Sequence, residues 1–277
     1  IKSKLFSVSD CQAIVKKAIV EKLKQKYNRS WFEETGPRYV IEVGLLKDVV
    51  TITVDTSGVG LHKRGYRQLA SLAPLKETLA SALVGLSYWN TDRQLIDPFC
   101  GSGTIPIEAA MMGLNIAPGL SREFDAEKWP QIPAHLWDQA RSEAQDARRK
   151  VDFRILGYDI DGRVLSIARH NAKLAGVEEY IDFHKLPFSE FSTKTKYGCI
   201  ICNPPYGERL GERKEVQDLY RQMGEKFKDM DTWSIYALTA DEDFERCYGR
   251  KADRKRKLYN GRIKVDYYQY YGPRPPR

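Results

Sequence analysis

The sequence predicts an α/β protein: a doubly wound, mostly parallel sheet ending in an antiparallel hairpin, preceded by a smaller α+β unit. Three observations carry this. From about residue 75 onward short apolar runs alternate with segments of helical period, the order that builds βαβ units. A glycine-bearing loop, Asp97-Pro98-Phe99-Cys100-Gly101-Ser102-Gly103-Thr104, separates a strand pattern from a helix pattern. Near the C-terminus Asn260-Gly261 parts two runs of alternating polarity, the signal of a type I′ hairpin whose two central residues take positive φ.

Taken in order, Ile14, Val15, Ala18, Ile19 and Leu23 recur at helical spacing over 10–26, with Asp10 the expected N-cap. Strands are expected at 38–43 and 49–55, joined across 44–48, and this first unit ends near 58–60. A basic connector over 61–73 follows, and the boundary falls there, giving one unit over 1–66 and a second over 67–277. The second unit reads as helix 75–86, strand 94–97, helix 105–112, an insertion with two helical stretches, then strand 153–159 and helix 162–175. Strands 180–184 and 198–202, helix 212–227, strand 232–238 and the hairpin strands 254–259 and 262–271 complete it. Because the chain opens at Ile1 rather than Met, the first unit is expected to be the latter part of a domain.

Length and charge bound the possibilities. With 277 residues and 42% hydrophobic content the chain can bury one full core and support a smaller unit beside it. A formal net charge of +8 favours a polyanionic partner, because clustered Lys and Arg concentrate phosphates and release their counterions. No apolar run is long enough to span a bilayer and no segment has the build of a signal peptide, so a cytoplasmic location is expected. The five cysteines, Cys11, Cys100, Cys199, Cys202 and Cys247, show no disulfide spacing, which fits a reducing compartment. Cys199 and Cys202 lie in a strand pattern, where residues three apart face opposite ways. His62, His135, His170 and His184 are scattered, and no metal site is expected.

The loop over 97–104 is built for close approach of a ligand. Gly101 and Gly103 permit conformations that a Cβ would block, beside a helix N-terminus. Thr104-Ile105-Pro106 stands where a phosphate-binding loop needs Lys-Ser/Thr, and Ile107 stands where the dinucleotide fingerprint needs its last glycine. A second acid, Asp159, ends the next strand, where a doubly wound sheet presents a carboxylate to a ribose. Either Asp159 or Asp161 could instead cap the following helix.

Asn203-Pro204-Pro205-Tyr206 follows the strand at 198–202, on the edge where open α/β sheets place their chemistry. An aromatic or amide NH₂ is a poor nucleophile because its lone pair is delocalised. The Asn203 side-chain oxygen and the Pro204 carbonyl could each accept one N–H, drawing the nitrogen toward sp³ and aiming its lone pair at an electrophile. Pro204 and Pro205 stiffen the turn beforehand, and Tyr206 could stack on an extruded base.

With Leu61-His62-Lys63-Arg64-Gly65-Tyr66-Arg67, the extended block Asn203-Pro204-Pro205-Tyr206-Gly207-Glu208-Arg209-Leu210 and Arg254-Lys255-Arg256-Lys257-Leu258-Tyr259-Asn260-Gly261, these motifs resemble the amino-methyltransferase branch of the class I methyltransferases. More narrowly, essentially the whole chain is similar to the THUMP-linked RNA methyltransferases, including the bacterial guanine-N2 enzymes of large-subunit ribosomal RNA. The resemblance implies a Rossmann-like methyltransferase sheet behind part of a THUMP domain, with S-adenosylmethionine as cofactor, S-adenosylhomocysteine as product and RNA as partner. It implies that Asp97, Pro98, Phe99, Cys100, Gly101, Ser102, Gly103, Thr104, Asp159, Ile160 and Asn203 hold the cofactor, aided by Lys76, Glu77 and Thr78 from the segment 73–78. Asn203, Pro204, Pro205 and Tyr206 become the catalytic set.

The sequence departs from the family in one place. His184-Lys185-Leu186-Pro187-Phe188 lacks the acid that many class I enzymes place there for the adenine amino group, so backbone and apolar contacts are expected instead. Lys63, Arg64 and Arg67, the tail cluster that includes Lys255 and Arg256, and Arg209 are the expected substrate contacts. Tyr267, Tyr268, Tyr270 and Tyr271 are expected to pack the hairpin. Guanine N2 of 23S ribosomal RNA is preferred on the resemblance only. Adenine N6 of RNA or DNA, a protein glutamine, and an inactive RNA-binding assembly factor stay open.

Overall fold

The computed structural model describes residues 2–67, 75–206 and 210–276, with backbone alone at 210–212. Its contacts define two compact units, Ile1–Gly60 with Glu123–Ala140, and Leu61–Arg122 with Arg141–Arg277. The sequence predicts a second unit unbroken from residue 67; the contacts instead return Glu123–Ala140 to the first. The physical link is Trp129, whose ring stacks on Tyr39 at 4.6 Å and whose indole N–H donates to the Arg38 carbonyl at 2.9 Å.

In the first unit α1 (Val8–Tyr27) is followed by the antiparallel pair β1 (Val40–Leu46) and β2 (Val49–Asp55). Ser7, not Asp10, is the N-cap of α1: its side chain accepts the Asp10 N–H at 3.4 Å, while Asp10 occupies the first turn. The hairpin turns on Lys47 and Asp48 alone, both at positive φ (51° and 62°), so Gly44 lies within β1 rather than in the turn.

The second unit is built on α2 (Glu77–Gly85), β3 (Leu95–Asp97) and α3 (Thr104–Gly113). After α4 (Ala134–Asp146) come β4 (Ile155–Asp159), α5 (Gly162–Leu174), β5 (Ile181–Lys185), β6 (Cys199–Cys202), α6 (Leu210–Lys228), β7 (Ser234–Thr239), α7 (Phe244–Tyr248), β8 (Arg254–Asn260) and β9 (Ile263–Tyr270). The sheet order is β5-β4-β3-β6-β7-β9-β8, the first five strands parallel and β9 antiparallel to both its neighbours. Both faces are covered. Leu83, Ile107 and Leu165 pack from α2, α3 and α5 on one side, and Tyr220, Met223 and Phe244 from α6 and α7 on the other. The central strands are therefore apolar over most of their length, as buried parallel strands are. Chain order reverses between β3 and β6, so the connections leaving these strands diverge and open a crevice at their carboxyl ends.

The terminal hairpin forms with a different turn from the one predicted. Asn260 pairs with Ile263, leaving Gly261-Arg262 as the turn, and only Gly261 has positive φ (+66°). Glycine at the first central position is the pattern of type II′, not type I′. All five cysteines are free. Among the described residues no helix is long and apolar enough to cross a membrane, and no group of three or more His, Cys, Asp or Glu could hold a metal ion.

Candidate active site

The carboxyl ends of β3, β4 and β6 deliver Asp97, Asp159 and Asn203 to one cavity of about 520 Å³. Pro98, Phe99, Cys100, Gly101, Ser102, Thr104 and Ile160 from the predicted set line it too. Gly103 does not; it is needed for packing, at φ +82° where an added Cβ would lie 3.0 Å from Phe183 and 3.1 Å from Ala168.

Asp97 is 1% exposed, and its Oδ1 accepts the Phe99 N–H at 3.1 Å. No cation pairs with it among the described residues, so burial pushes its carboxyl well above the ordinary range, with Asp159 adding to the rise. Asp159 fastens the loop. Its Oδ2 accepts the Gly101 N–H at 3.0 Å and its Oδ1 the Asp161 N–H at 2.9 Å, so each oxygen keeps a second acceptor direction for a ligand hydroxyl. The capping role falls to Asp161, which accepts the Arg163 N–H at 2.8 Å.

Past β5 the wall is Pro187, Phe188 and Ser189, with Phe188 stacked on Phe99 at 5.1 Å. Leu75, Ile105, Leu219 and Gln222 complete it and were not among the predicted residues. Leu219 and Gln222 sit three apart on α6, a helix whose periodicity points to a core contact but not to a site.

Asn203 is half-buried, and its side-chain oxygen is buried with no hydrogen-bond partner among the described residues. An orphaned buried acceptor costs about 1–3 kcal/mol, which marks it as a place that something else completes. Pro205 lines the cavity and its carbonyl accepts the Tyr220 hydroxyl at 3.1 Å. Pro204 is buried and Tyr206 half-buried; neither is part of the lining. Arg209 lies outside the described residues.

Several expected contacts are engaged elsewhere. Glu77 is 4% exposed and held by Arg67, whose Nε donates to Oε1 at 2.9 Å and whose Nη2 stands 2.6 Å from Oε2. Arg67 Nη2 also donates to the Leu75 carbonyl at 2.8 Å. Lys76 and Thr78 on either side are exposed and away from the cavity. Arg64 is bound to Glu108, which also accepts the Tyr66 hydroxyl at 3.0 Å. Arg64 and Arg67 thus hold the connector against α2 and α3 rather than presenting charge to solvent; Lys63 is exposed. Lys255 pairs with buried Asp266 at 3.3 Å and lies 4.9 Å over the Tyr268 ring, and Arg256 is half-buried.

A second cavity, also about 520 Å³, lies in the first unit between α1 and β1, lined largely by aliphatic side chains such as Val15, Ile19, Ile41 and Val43. It holds neither an acid nor an asparagine.

The profile of the family described as RMKL-like, methyltransferase domain, matches residues 64–269, and that of the THUMP domain matches residues 1–55. YpsC of Bacillus subtilis (strain 168), designated a candidate RNA methyltransferase, is 54% identical over 281 residues, covering 100% of this chain and 73% of that protein. The ribosomal RNA large subunit methyltransferase K/L of Legionella pneumophila (strain Corby) is 37% identical over 92% of this chain, which spans only 37% of its length. A crystal structure of SMU.472, a candidate methyltransferase complexed with S-adenosylhomocysteine, superposes with a TM-score of 0.90 at 47% identity, covering 100% of this chain and 74% of that one.

Proposed function

The chain belongs to the family of RMKL-like methyltransferases, and we propose that it methylates the exocyclic amino group of an RNA base, guanine N2 of 23S ribosomal RNA in the first instance. It is an RNA methyltransferase that uses S-adenosylmethionine, and its N-terminal unit is a THUMP domain, here read as part of the grip on RNA.

The observation that carries the reading is the buried Oδ1 of Asn203, without a hydrogen-bond partner among the described residues, in a cavity shared with Asp97 and Asp159. The residues fit the cofactor. Asp97, buried without a counter-charge among the described residues, suits its cationic amino-acid end, and the spare acceptor directions on Asp159 suit a ribose. Ile160, 68% exposed beside Asp159, and the Phe188 wall offer apolar faces for a purine ring where no acid is present. When bound, S-adenosylmethionine supplies a methyl group on a sulfonium, a leaving group that needs no protonation. Asn203 Oδ1 accepts one N–H of the target NH₂ and the Pro204 carbonyl accepts the other, which localises the nitrogen lone pair. Both acceptors are fixed before substrate arrives, so little is spent on reorganisation. Tyr206 offers a ring face to the extruded base.

The test compares Asn203→Ala with the wild type, using tritiated S-adenosylmethionine and ribosomal RNA from a deletion strain. Transfer should fall about 10²–10³-fold, the loss typical of one preorganised polar group, while calorimetric affinity for S-adenosylhomocysteine stays within a few-fold. Undiminished transfer would remove Asn203 from the chemistry. Nucleoside mass spectrometry of the same strain should show N2-methylguanosine missing; loss of N6-methyladenosine instead would reassign the base.

A further inference from the structure

We propose that Tyr220 is a positioning residue for the reactive turn, tying the Pro205 carbonyl to Thr239 at the end of β7. This rests on the reading of Asn203 as the reactive amide. Pro204 and Pro205 have no N–H, so neither can donate a backbone hydrogen bond to anchor the turn. Their carbonyls need a donor from outside. Tyr220, on α6 and 0% exposed, supplies one: its hydroxyl lies 3.1 Å from the Pro205 oxygen and 2.9 Å from Thr239 Oγ1.

The donors can be assigned by elimination. A carbonyl only accepts, so the single Tyr220 proton goes to Pro205, and Thr239 donates its own to Tyr220 Oη. Thr239 Oγ1 in turn accepts the Asp241 N–H at 3.1 Å. Three donations thus run in one direction, from the loop after β7 through Thr239 and Tyr220 to the turn after β6, and none of these groups is left unmet. Burial raises the Tyr220 hydroxyl above its usual pKa, which keeps it a donor. Its ring is fixed edge-on against Phe244 at 4.8 Å, so the hydroxyl has little freedom to wander. The outcome is a division of labour within one tetrapeptide. The Pro205 oxygen is occupied by protein, while the Asn203 oxygen two residues earlier stays open to substrate.

The test uses the full chain, ribosomal RNA from the deletion strain and tritiated cofactor, with Tyr220→Phe, Thr239→Val, Thr239→Ser and Asn203→Ala side by side. Tyr220→Phe and Thr239→Val should lower kcat roughly ten- to a hundred-fold, the scale on which small misplacements act. The KM for RNA and the affinity for S-adenosylhomocysteine should stay within about two-fold, and Thr239→Ser, which keeps the hydroxyl, should recover most of kcat. The inference is overturned by wild-type kcat in Tyr220→Phe, even with a lowered Tm. It is also overturned if Thr239→Ser is no better than Thr239→Val, a comparison that still decides should Tyr220→Phe fail to fold. Full transfer by Asn203→Ala would sink the underlying reading, whereas an inactive Asn203→Ala beside a fully active Tyr220→Phe would sink this inference alone.

Discussion

At the scale of the residue, the buried carboxyl of Asp97 sets stability against binding. Its pKa in the folded, cofactor-free protein is raised by burial. Such a group favours the folded state below the ordinary carboxylate range and loses that contribution as pH rises through the raised value. Near neutral pH the ionised carboxylate of Asp97 therefore costs the fold stability, and a bound cation offsets that cost. Asp97→Asn keeps an acceptor for the Phe99 N–H but carries no charge to bury. Its cofactor-free Tm should exceed the wild type's at about pH 8, the gap closing as pH falls toward the ordinary carboxylate value near 4. Its affinity for S-adenosylmethionine should drop tenfold or more, the effect of losing one charge-assisted hydrogen bond of about 1.5–3 kcal/mol. Differential scanning fluorimetry and calorimetry read the two halves; unchanged Tm with unchanged affinity would mean that Asp97 serves neither purpose.

At the scale of the element, the connector before α2 is held by ion pairs that a sequence does not display. Arg67 meets Glu77 ten residues away and Arg64 meets Glu108 forty-four residues away, so charge alone suggested phosphate grips where the fold has built clamps. Arg67 and Glu77 side chains are only 9% and 5% exposed. Arg67→Ala leaves a buried carboxylate without its counter-charge, and chemical denaturation should report a loss of about 3–5 kcal/mol. RNA affinity measured well below the Tm should change little; a large loss of RNA binding with wild-type stability would restore Arg67 as a substrate contact. The same distinction explains what was legible. Strands β3, β4, β6 and β7 were readable to within a residue or two because buried parallel strands are near-continuous apolar runs. The loop at 97–104 and the Asn203 turn, which the fold brings to one cavity, stood out because their motif residues are contiguous in the chain. Helix α7 has five residues, too few for a period, and the return of Glu123–Ala140 to the first unit depends on a long-range stack between Trp129 and Tyr39. Phe188, Leu219 and Gln222 reach the cavity by topology alone, which no local pattern records.

At the scale of the whole molecule, the question is where on the sheet the positive charge can serve an RNA substrate. The parallel strand β7 ends at Thr239, and the register sets Thr239 level with Asp266 and Lys257, so the Gly261-Arg262 turn extends beyond the end of β7 on the carboxyl edge of the parallel strands. Arg254 lies level with Gln269 and Tyr236, near the opposite end of β7, with Arg250 and Lys251 earlier still in the chain. At about 3.3 Å a residue, the six steps from Arg254 to Asn260 put roughly 20 Å between the two ends of β8, with Lys257 midway. The tail cluster is thus two groups of charge, and only the group at the tip stands on the edge of the chemistry. Lys255, one step from Arg254, is bound to Asp266, while exposed Lys257 and Arg262 stand toward the tip and are the better phosphate contacts. Lys257→Glu with Arg262→Glu should weaken RNA binding about tenfold or more in low salt. It should also flatten the slope of log affinity against log salt by about 1.4–1.8, the share of two released counterions. Arg250→Glu with Lys251→Glu makes the same change in net charge, so it controls for long-range attraction, and its effect should be several-fold smaller. Filter binding between about 50 and 200 mM salt separates the cases, and equal losses from both pairs would show that the RNA follows overall charge rather than the edge where the cavity opens.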